Sequence, residues 1–275
     1  MVTTKYIPTL TIAGSDSSGG AGIQADIKTM SALGCYAMSV ITAVTAQNTC
    51  GVSGVEAISN QLVQSQLEAV LEDIPPKAIK TGMLYDRSTI EVIVKTLSQL
   101  DDIPPIIVDP VMVATSGDSL FRDEAIESLI NSLLPMAALV TPNIPEAEAL
   151  AGLVIDSHKS IKEAAKKILS YGVEAVLIKG GHLMGDDCPD FLFLNNGHEE
   201  VFHGTKVRTS NTHGTGCTLS SAITAYIARG LSLPEAVGQA KVYISEAINS
   251  GKDITLFKGH GPVDHFYNPQ KSIKL

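Results

Sequence analysis

Residues 210–217, Ser-Asn-Thr-His-Gly-Thr-Gly-Cys, put a thiol at the first turn of a helix, directly behind two glycines. Gly214 and Gly216 permit positive φ and let backbone N–H groups come close to an anion. The helix starting near Thr215 aims its free N–H groups and its positive dipole end at the same spot. That outlines a hole of phosphate size, although a glycine-rich helix start without any ligand has the same letters. Cys217 adds chemistry. A helix N-terminus favours the thiolate, so its pKa is expected below the free value of about 8.5. Such a group can accept a proton from a hydroxyl while the amides hold a phosphoryl group in transfer. The competing reading is an inert cysteine on a helix of small residues.

Other phosphate motifs are missing or incomplete. After a first strand, Gly20, Gly22 and Ala25 have the spacing of a dinucleotide fingerprint. That fold also needs an acidic residue about 20 positions on to hold a ribose, and none occurs from 27 to 55. No P-loop and no His-Arg-Asp or Asp-Phe-Gly set of a protein kinase is found.

These residues need a scaffold. Continuous apolar runs at 9–14, 38–46, 78–84, 105–112, 137–143 and 175–181 predict strands covered on both faces. Amphipathic stretches at 21–33, 60–72, 88–99, 122–134, 145–151 and 160–171 predict the helices between them. This alternation implies an α/β fold with a mostly parallel sheet and helices on both faces. Beyond 185 two extended runs joined by Asn-Asn-Gly-His predict an antiparallel hairpin edge. Helices follow at 215–229 and 235–250. No linker or repeat interrupts the chain, and a single domain is expected. Ligands of such sheets bind at the carboxyl ends of the strands. Gly14, Gly82, Met83, Asp109, Asn143 and 180–182 all fall there.

Composition narrows the partners. The chain has 275 residues, 44% apolar and 18% charged, with a net charge of −9. That suits a globular protein and argues against a nucleic-acid or anionic-membrane surface. Cysteines 35, 50, 188 and 217 have no zinc-site spacing. No signal-peptide core opens the sequence, so reduced thiols and a cytoplasmic location are expected. The uncharged stretch between Lys28 and Glu56 is broken by Gly34 and polar residues. It falls short of the run of about 18 apolar residues that a membrane helix requires.

The segments LTIAGSDSSGGAGIQAD, SVITAVTAQNT, VTPNIPEAEAL, VLIKGGH, NTHGTGCTLSSAI and GHGPVDHF together resemble the hydroxymethylpyrimidine/phosphomethylpyrimidine kinases. These are bacterial thiamine-biosynthesis enzymes with a ribokinase-like fold. The resemblance runs from about residue 8 to 267 in unbroken order. It implies two ATP- and Mg²⁺-dependent phosphorylations, of 4-amino-5-hydroxymethyl-2-methylpyrimidine and then of its monophosphate, in a homodimer. It implies that Cys217 occupies the position where most relatives of the superfamily keep an Asp base.

The same resemblance assigns Asp26 and Gln47 to the pyrimidine, with Met83 packed on its ring and Gly14 nearby. Lys179 is implied along the ATP phosphates, with Asn143 and Thr212 in the nucleotide site. Glu146 and Asp109 are the implied magnesium residues. Simpler readings stand beside these: Asp26 as a solvated first-turn charge, Gln47 as a strand-end side chain, and Glu146 as a first-turn carboxylate favoured by the helix dipole. The competing functions are a pyridoxal kinase and a non-catalytic binder of pyrimidines or nucleotides.

Overall fold

The protein, described from a computed structural model, is seen over residues 5–112, 123–181, 187–255 and 258–274. Its elements are β1 (Pro8–Asp16), α1 (Gly22–Ala32), β2 (Tyr36–Asn48), β3 (Gly51–Ala57), α2 (Asn60–Asp73), β4 (Ala78–Thr81), α3 (Arg87–Leu97), β5 (Ile106–Val108) and α4 (Asp123–Ser128). Then come β6 (Leu139–Val140), α5 (Ile144–Ala151), α6 (His158–Leu169), β7 (Ala175–Lys179), β8 (Asp190–Leu194), β9 (Glu199–Phe202), α7 (Thr215–Ala228) and α8 (Leu233–Gly251).

All the strands join one sheet, in the order β3-β2-β1-β4-β5-β6-β7-β8-β9. Strands β2 through β7 of that order run parallel, while β3 on one edge and β8–β9 on the other are antiparallel. Alternate side chains of each strand feed opposite cores. Leu10, Ile12, Ile79, Ile106, Val108 and Val176 pack under α2 to α6. Ala78, Ile107, Leu139, Ala175 and Leu177 pack under α1, α7 and α8. This two-sided burial is why the strands read as continuous apolar runs.

The structure trims and extends the expected elements. Strand β4 stops at Thr81 and β5 at Val108, because the residues beyond them turn away to line a cavity. The helix expected at 122–134 is seen from Asp123 and loosens after Ser128 into a wider and then a tighter turn that ends at Met136. Strand β3 is absent from the sequence reading. It is exposed along most of its length and held mainly by backbone pairing to β2, so it carries no apolar run to betray it. Among the described residues no helix is long and apolar enough to cross a membrane.

Near the chain's end, Tyr243 Oη of α8 donates to the carbonyl of His265 at 2.5 Å. The His265 ring is buried, and its Nε2 has no partner among the described residues. Burial, with Lys28 and His213 nearby, pushes its pKa down to about 4. In the unfolded chain the ring takes a proton near 6.5; in the folded protein it stays neutral until about 4. Stability is therefore lost as pH falls through that window. We expect roughly 2 kcal/mol of acid destabilisation from this ring between about pH 7 and 5. Urea unfolding of parent and His265→Leu at both pH values measures it; equal pH dependence in the two would show that the ring is not buried neutral.

Candidate active site

A cavity of about 890 Å³ lies over the carboxyl ends of β1, β4, β5, β6 and β7. From β1 the chain crosses to β2 on one side, and β4 later joins its other side. A crevice at such a reversal is where open α/β sheets take their ligands.

One end of the cavity is built for a flat, partly apolar group. Gly14 sits where β1 slips register against β2. A Cβ there would stand 3.1 Å from Met83 Sδ, so glycine lets Met83 lie across the strand. Both residues line the cavity, as does Gln47 at the end of β2. Ser17 pins the Gln47 backbone by donating to its carbonyl and accepting from its N–H, at 2.7 and 2.8 Å. Gln47 Oε1 accepts from Thr45 Oγ1 at 3.1 Å. Its amide nitrogen has no acceptor among the described residues, leaving a donor for a ligand.

The other end is the glycine-rich start of α7. Gly214 is the N-cap of α7 with φ +78°, and no side chain caps the helix. A Cβ on Gly214 would overlap the carbonyl oxygen of Gly20, at 1.8 Å; only glycine fits. The Thr215 amide bonds back to Thr212 O and the Thr218 amide to Gly214 O. The amides of Gly216 and Cys217 between them have no acceptor among the described residues and face the cavity end of the helix.

Against this helix start stands Lys179, the last residue of β7. Its Nζ is 3.1 Å from Asp109 Oδ1 and 3.9 Å from Glu146 Oε2. A Cβ on Gly216 would meet Lys179 Nζ at 3.3 Å and Asp109 Oδ2 at 3.7 Å, so glycine keeps this corner open. Burial opposes the lysine's charge, but Asp109 and Glu146 hold its pKa above the usual value. Glu146 itself is pushed up, chiefly by burial. Asn143 and Glu146 form a capping box on α5, with bonds of 2.8 and 2.9 Å. The simpler sequence reading of Glu146 thus holds together with the cavity reading, because one carboxylate both caps the helix and faces Lys179. Thr212 also lines the cavity.

Two expectations are corrected. Asp26 does not line the cavity. It lies fully buried between α1 and the sheet, with Lys80 Nζ at 2.7 and 2.9 Å, Thr11 Oγ1 at 2.6 Å and Ser221 Oγ at 2.6 Å. Its oxygens are spent inside the protein, so the aminopyrimidine edge is not within its reach. Cys217 lines the cavity, but its thiol is not acidified. Burial pushes its pKa up to about 11; Lys80 and the Gly22 N–H pull it down, while Asp26 and Asp109 push it further up. Desolvation is the largest of these causes.

Three contributors went unread. Asp16 accepts from Ser18 N and Oγ, Gly20 N, Ala21 N and His213 Nε2, at 2.7–3.1 Å. Burial opposes its charge, yet the bonds from His213 and Ser18 hold its carboxyl well below the usual range. The pair fastens the loop after β1 to the start of α7. Gly20 and Gly22 serve this packing, since a Cβ would strike His213 at 2.4 Å or the Gly14 carbonyl at 2.4 Å; the apparent dinucleotide spacing has that cause. Lys80 is the third. A lysine inside a buried apolar strand is hard to place without a partner, and that signal was available in the sequence. Residue His182 lies outside the described residues.

A phosphomethylpyrimidine kinase family model matches residues 16–264. The hydroxymethylpyrimidine/phosphomethylpyrimidine kinase of Rhizobium meliloti (strain 1021) is 48% identical over 259 residues, 94% of this chain and 96% of that protein. The solved phosphomethylpyrimidine kinase from Clostridium difficile 630 is 50% identical, with a TM-score of 0.78 over 88% of this chain and 99% of its own. The pyridoxal kinase from Staphylococcus aureus in complex with ADP is 37% identical, with a TM-score of 0.88 over 97% of this chain and 96% of its own.

The corner beside Gly216 yields a direct test. Gly216→Ala places a methyl against the flexible end of Lys179 rather than against backbone. We expect thermal stability to change by less than about 1 kcal/mol and ATP affinity to fall by about tenfold. Calorimetric titration and a thermal melt read the two. A collapse of stability with unchanged affinity would make Gly216 a packing glycine.

Proposed function

The chain belongs to the phosphomethylpyrimidine kinase family, and from that premise we propose that its cavity carries out two successive ATP-dependent phosphorylations. The first acts on the hydroxymethyl group of 4-amino-5-hydroxymethyl-2-methylpyrimidine, the second on the resulting monophosphate, in thiamine biosynthesis. The observation that carries the reading is the convergence of Lys179, Asp109 and the free amides of Gly216 and Cys217 on one corner. A donor-bearing Gln47 stands elsewhere on the wall of the same cavity.

In this reading Met83 packs on the pyrimidine ring with Gly14 beside it, and the Gln47 amide addresses a ring or amino-group heteroatom. The ATP phosphates lie along Lys179, Asn143 and Thr212, with the γ-phosphoryl group at the amides of Gly216 and Cys217. The substrate oxygen bonds to the γ-phosphorus as the bond to the β,γ-bridging oxygen breaks and ADP departs. In the fraction of the protein that carries Cys217 as a thiolate, the hydroxyl proton passes to Sγ and leaves the neutral thiol. Catalysis rests on positioning and on charge stabilisation by amides and lysine.

Magnesium is compatible with the same corner. Asp109 and Glu146 are hard oxygen donors on either side of Lys179. No cluster of three metal-ligating side chains exists among the described residues, so these two would hold Mg²⁺ together with water and phosphate oxygens. Bound there, the ion would neutralise phosphate charge. A homodimer belongs to the same proposal; exposed Val44 and Val55 of the β2–β3 extension support it, and sedimentation equilibrium checks it.

Pyridoxal kinase activity is the second reading, favoured by the structural likeness to the Staphylococcus aureus enzyme. Comparing kcat/KM for the pyrimidine and for pyridoxal separates the two; a preference for pyridoxal would reverse the assignment. Gln47→Ala is expected to weaken pyrimidine binding by about 1–3 kcal/mol and leave ATP affinity unchanged. Equal losses would make Gln47 a support of the fold.

The two steps make different demands on Cys217. The first nucleophile is a neutral hydroxyl that must lose a proton. The second is a phosphate oxygen, which is already largely ionised at neutral pH because the second pKa lies near about 6. Cys217→Ala should therefore slow the first step by roughly 10²-fold, the low end for general-base loss. The second step should stay within about threefold. A base must be deprotonated, and this thiol titrates near 11. Single-turnover rates of the first step should thus rise with pH through the neutral and alkaline range, and Cys217→Asp should flatten that rise. A Cys217→Ala rate within about threefold of the parent in the first step, under 1 kcal/mol of barrier, would reduce the thiol to packing.

A further inference from the structure

Lys241, in the middle of α8, borders the cavity but takes no part in the phosphoryl transfer. Its Nζ donates to Asp190 Oδ2 and to the carbonyl of Cys188, each at 2.7 Å. The lysine and Asp190 side chains are only 11% and 5% exposed. Asp190 opens β8 and pairs directly opposite Lys179, the last residue of β7. Its second oxygen, Oδ1, accepts the Gly180 N–H at 3.0 Å. One carboxylate thus links the lysine on α8 to the backbone just after Lys179. Cys188 is held from two sides, its carbonyl by Lys241 and its N–H by the Gly204 carbonyl at 2.7 Å. A Cβ on Gly204 would lie 2.8 Å from Lys241 Cε, so the lysine reaches this point because residue 204 has no side chain. Gly181, Cys188, Asp190 and Gly204 line the cavity together with Lys179 and Lys241.

We propose that Lys241, acting through Asp190, is a positioning residue that fixes Lys179 for the ATP phosphates. This rests on the proposed place of Lys179 along those phosphates. The backbone shows why support is needed there. The Lys179 N–H still bonds to the Pro142 carbonyl at 2.9 Å, but the pairing of β7 ends at that residue. The Gly180 N–H is the first beyond the ladder, and the Asp190 side chain satisfies it in place of a strand. A carboxylate this buried keeps its position only while its charge is compensated, and Lys241 supplies the compensation. Without the ammonium, Asp190 turns toward water and releases Gly180, and the root of Lys179 is no longer fixed. The far end of that lysine has a narrow target, with Asp109 Oδ1 at 3.1 Å and Glu146 Oε2 at 3.9 Å. A displacement of about 1 Å in a positioning group is enough to cost a large factor in function. Packing alone does not call for the pair, because apolar groups of similar size replace buried ion pairs without loss in many proteins.

ATP affinity, read by calorimetric titration, tests the proposal. Lys241→Met keeps the stem and removes the ammonium; ATP should bind about tenfold more weakly, and hydroxymethylpyrimidine alone within about twofold of the parent. The double variant Lys241→Gln with Asp190→Asn removes both charges and keeps each hydrogen bond. The amide oxygen at 190 still accepts from Gly180, its nitrogen donates to the amide at 241, and that amide donates to Cys188. It should bind ATP within about threefold of the parent. Because Lys241 acts through Lys179, adding Lys241→Met to Lys179→Met should weaken ATP binding by less than about twofold more. Lys241→Met leaves a buried carboxylate unpaired and can unfold the chain. Gly204→Ala is therefore measured beside it, since it keeps both charges and displaces the lysine stem; it too should weaken ATP binding. Parent-like ATP affinity in folded Lys241→Met or in Gly204→Ala would overturn the proposal, as would full additivity with Lys179→Met. A double variant as weak as Lys241→Met would also overturn it, by placing the ammonium on the nucleotide itself. A parent that fails to bind ATP would instead remove the kinase reading.

Discussion

The ion pair between Lys80 and Asp26 decides where the rest of the site can be. It joins a strand in the middle of the sheet to α1, and through Thr11 and Ser221 it adds β1 and α7. Neither charge meets water, so neither is tolerable without the other and without the two hydroxyls. That requirement places the first turns of α7 over the carboxyl ends of β1 and β4. The helix dipole, the free amides and Cys217 then face the cavity as a consequence of satisfying a buried charge.

A second fastening works at the level of backbone. The loop after β1 and the loop before α7 pass so close that Gly20, Gly22 and Gly214 leave no room for a side chain. Asp16, holding five donors that include His213, locks the two loops at that separation. Glycine supplies the approach and the carboxylate supplies the rigidity. The start of α7 therefore carries no side-chain cap, and its open amides fit the proposed phosphate position.

The cavity is electrically divided. Around Lys179 two carboxylates exceed one lysine, a balance suited to a ligand that arrives with metal cations as well as anionic phosphates. Around Gly14, Met83 and Gln47 the charges of Asp16 and Lys80 are each held by a partner inside the protein, which suits the neutral ring of the proposed substrate. Cys217 stands on the boundary. Its raised pKa is the price of a dry site, since the same desolvation that strengthens the amides' hold on a phosphoryl group disfavours a thiolate.

Much of this was legible in the chain itself. The apolar runs at 9–14 and 175–181 declared strands buried on both faces, because period-2 alternation between two cores leaves no polar side. Gly214 and Gly216 declared a glycine-rich helix start, and Glu146 a first-turn carboxylate, because both depend on neighbours in sequence. What tertiary structure alone decided involves distant partners. Asp26 could be read as a ligand contact only while Lys80, 54 residues away, was not seen to consume it. The direction of the Cys217 titration reversed because desolvation and the charges of Asp26 and Asp109 come from packing, whereas the helix N-terminus that argued the other way is local. The exposed strand β3, held mainly by backbone hydrogen bonds to β2, left no pattern in its side chains. Local geometry is written in adjacent residues; charge compensation and burial are properties of the assembled layers.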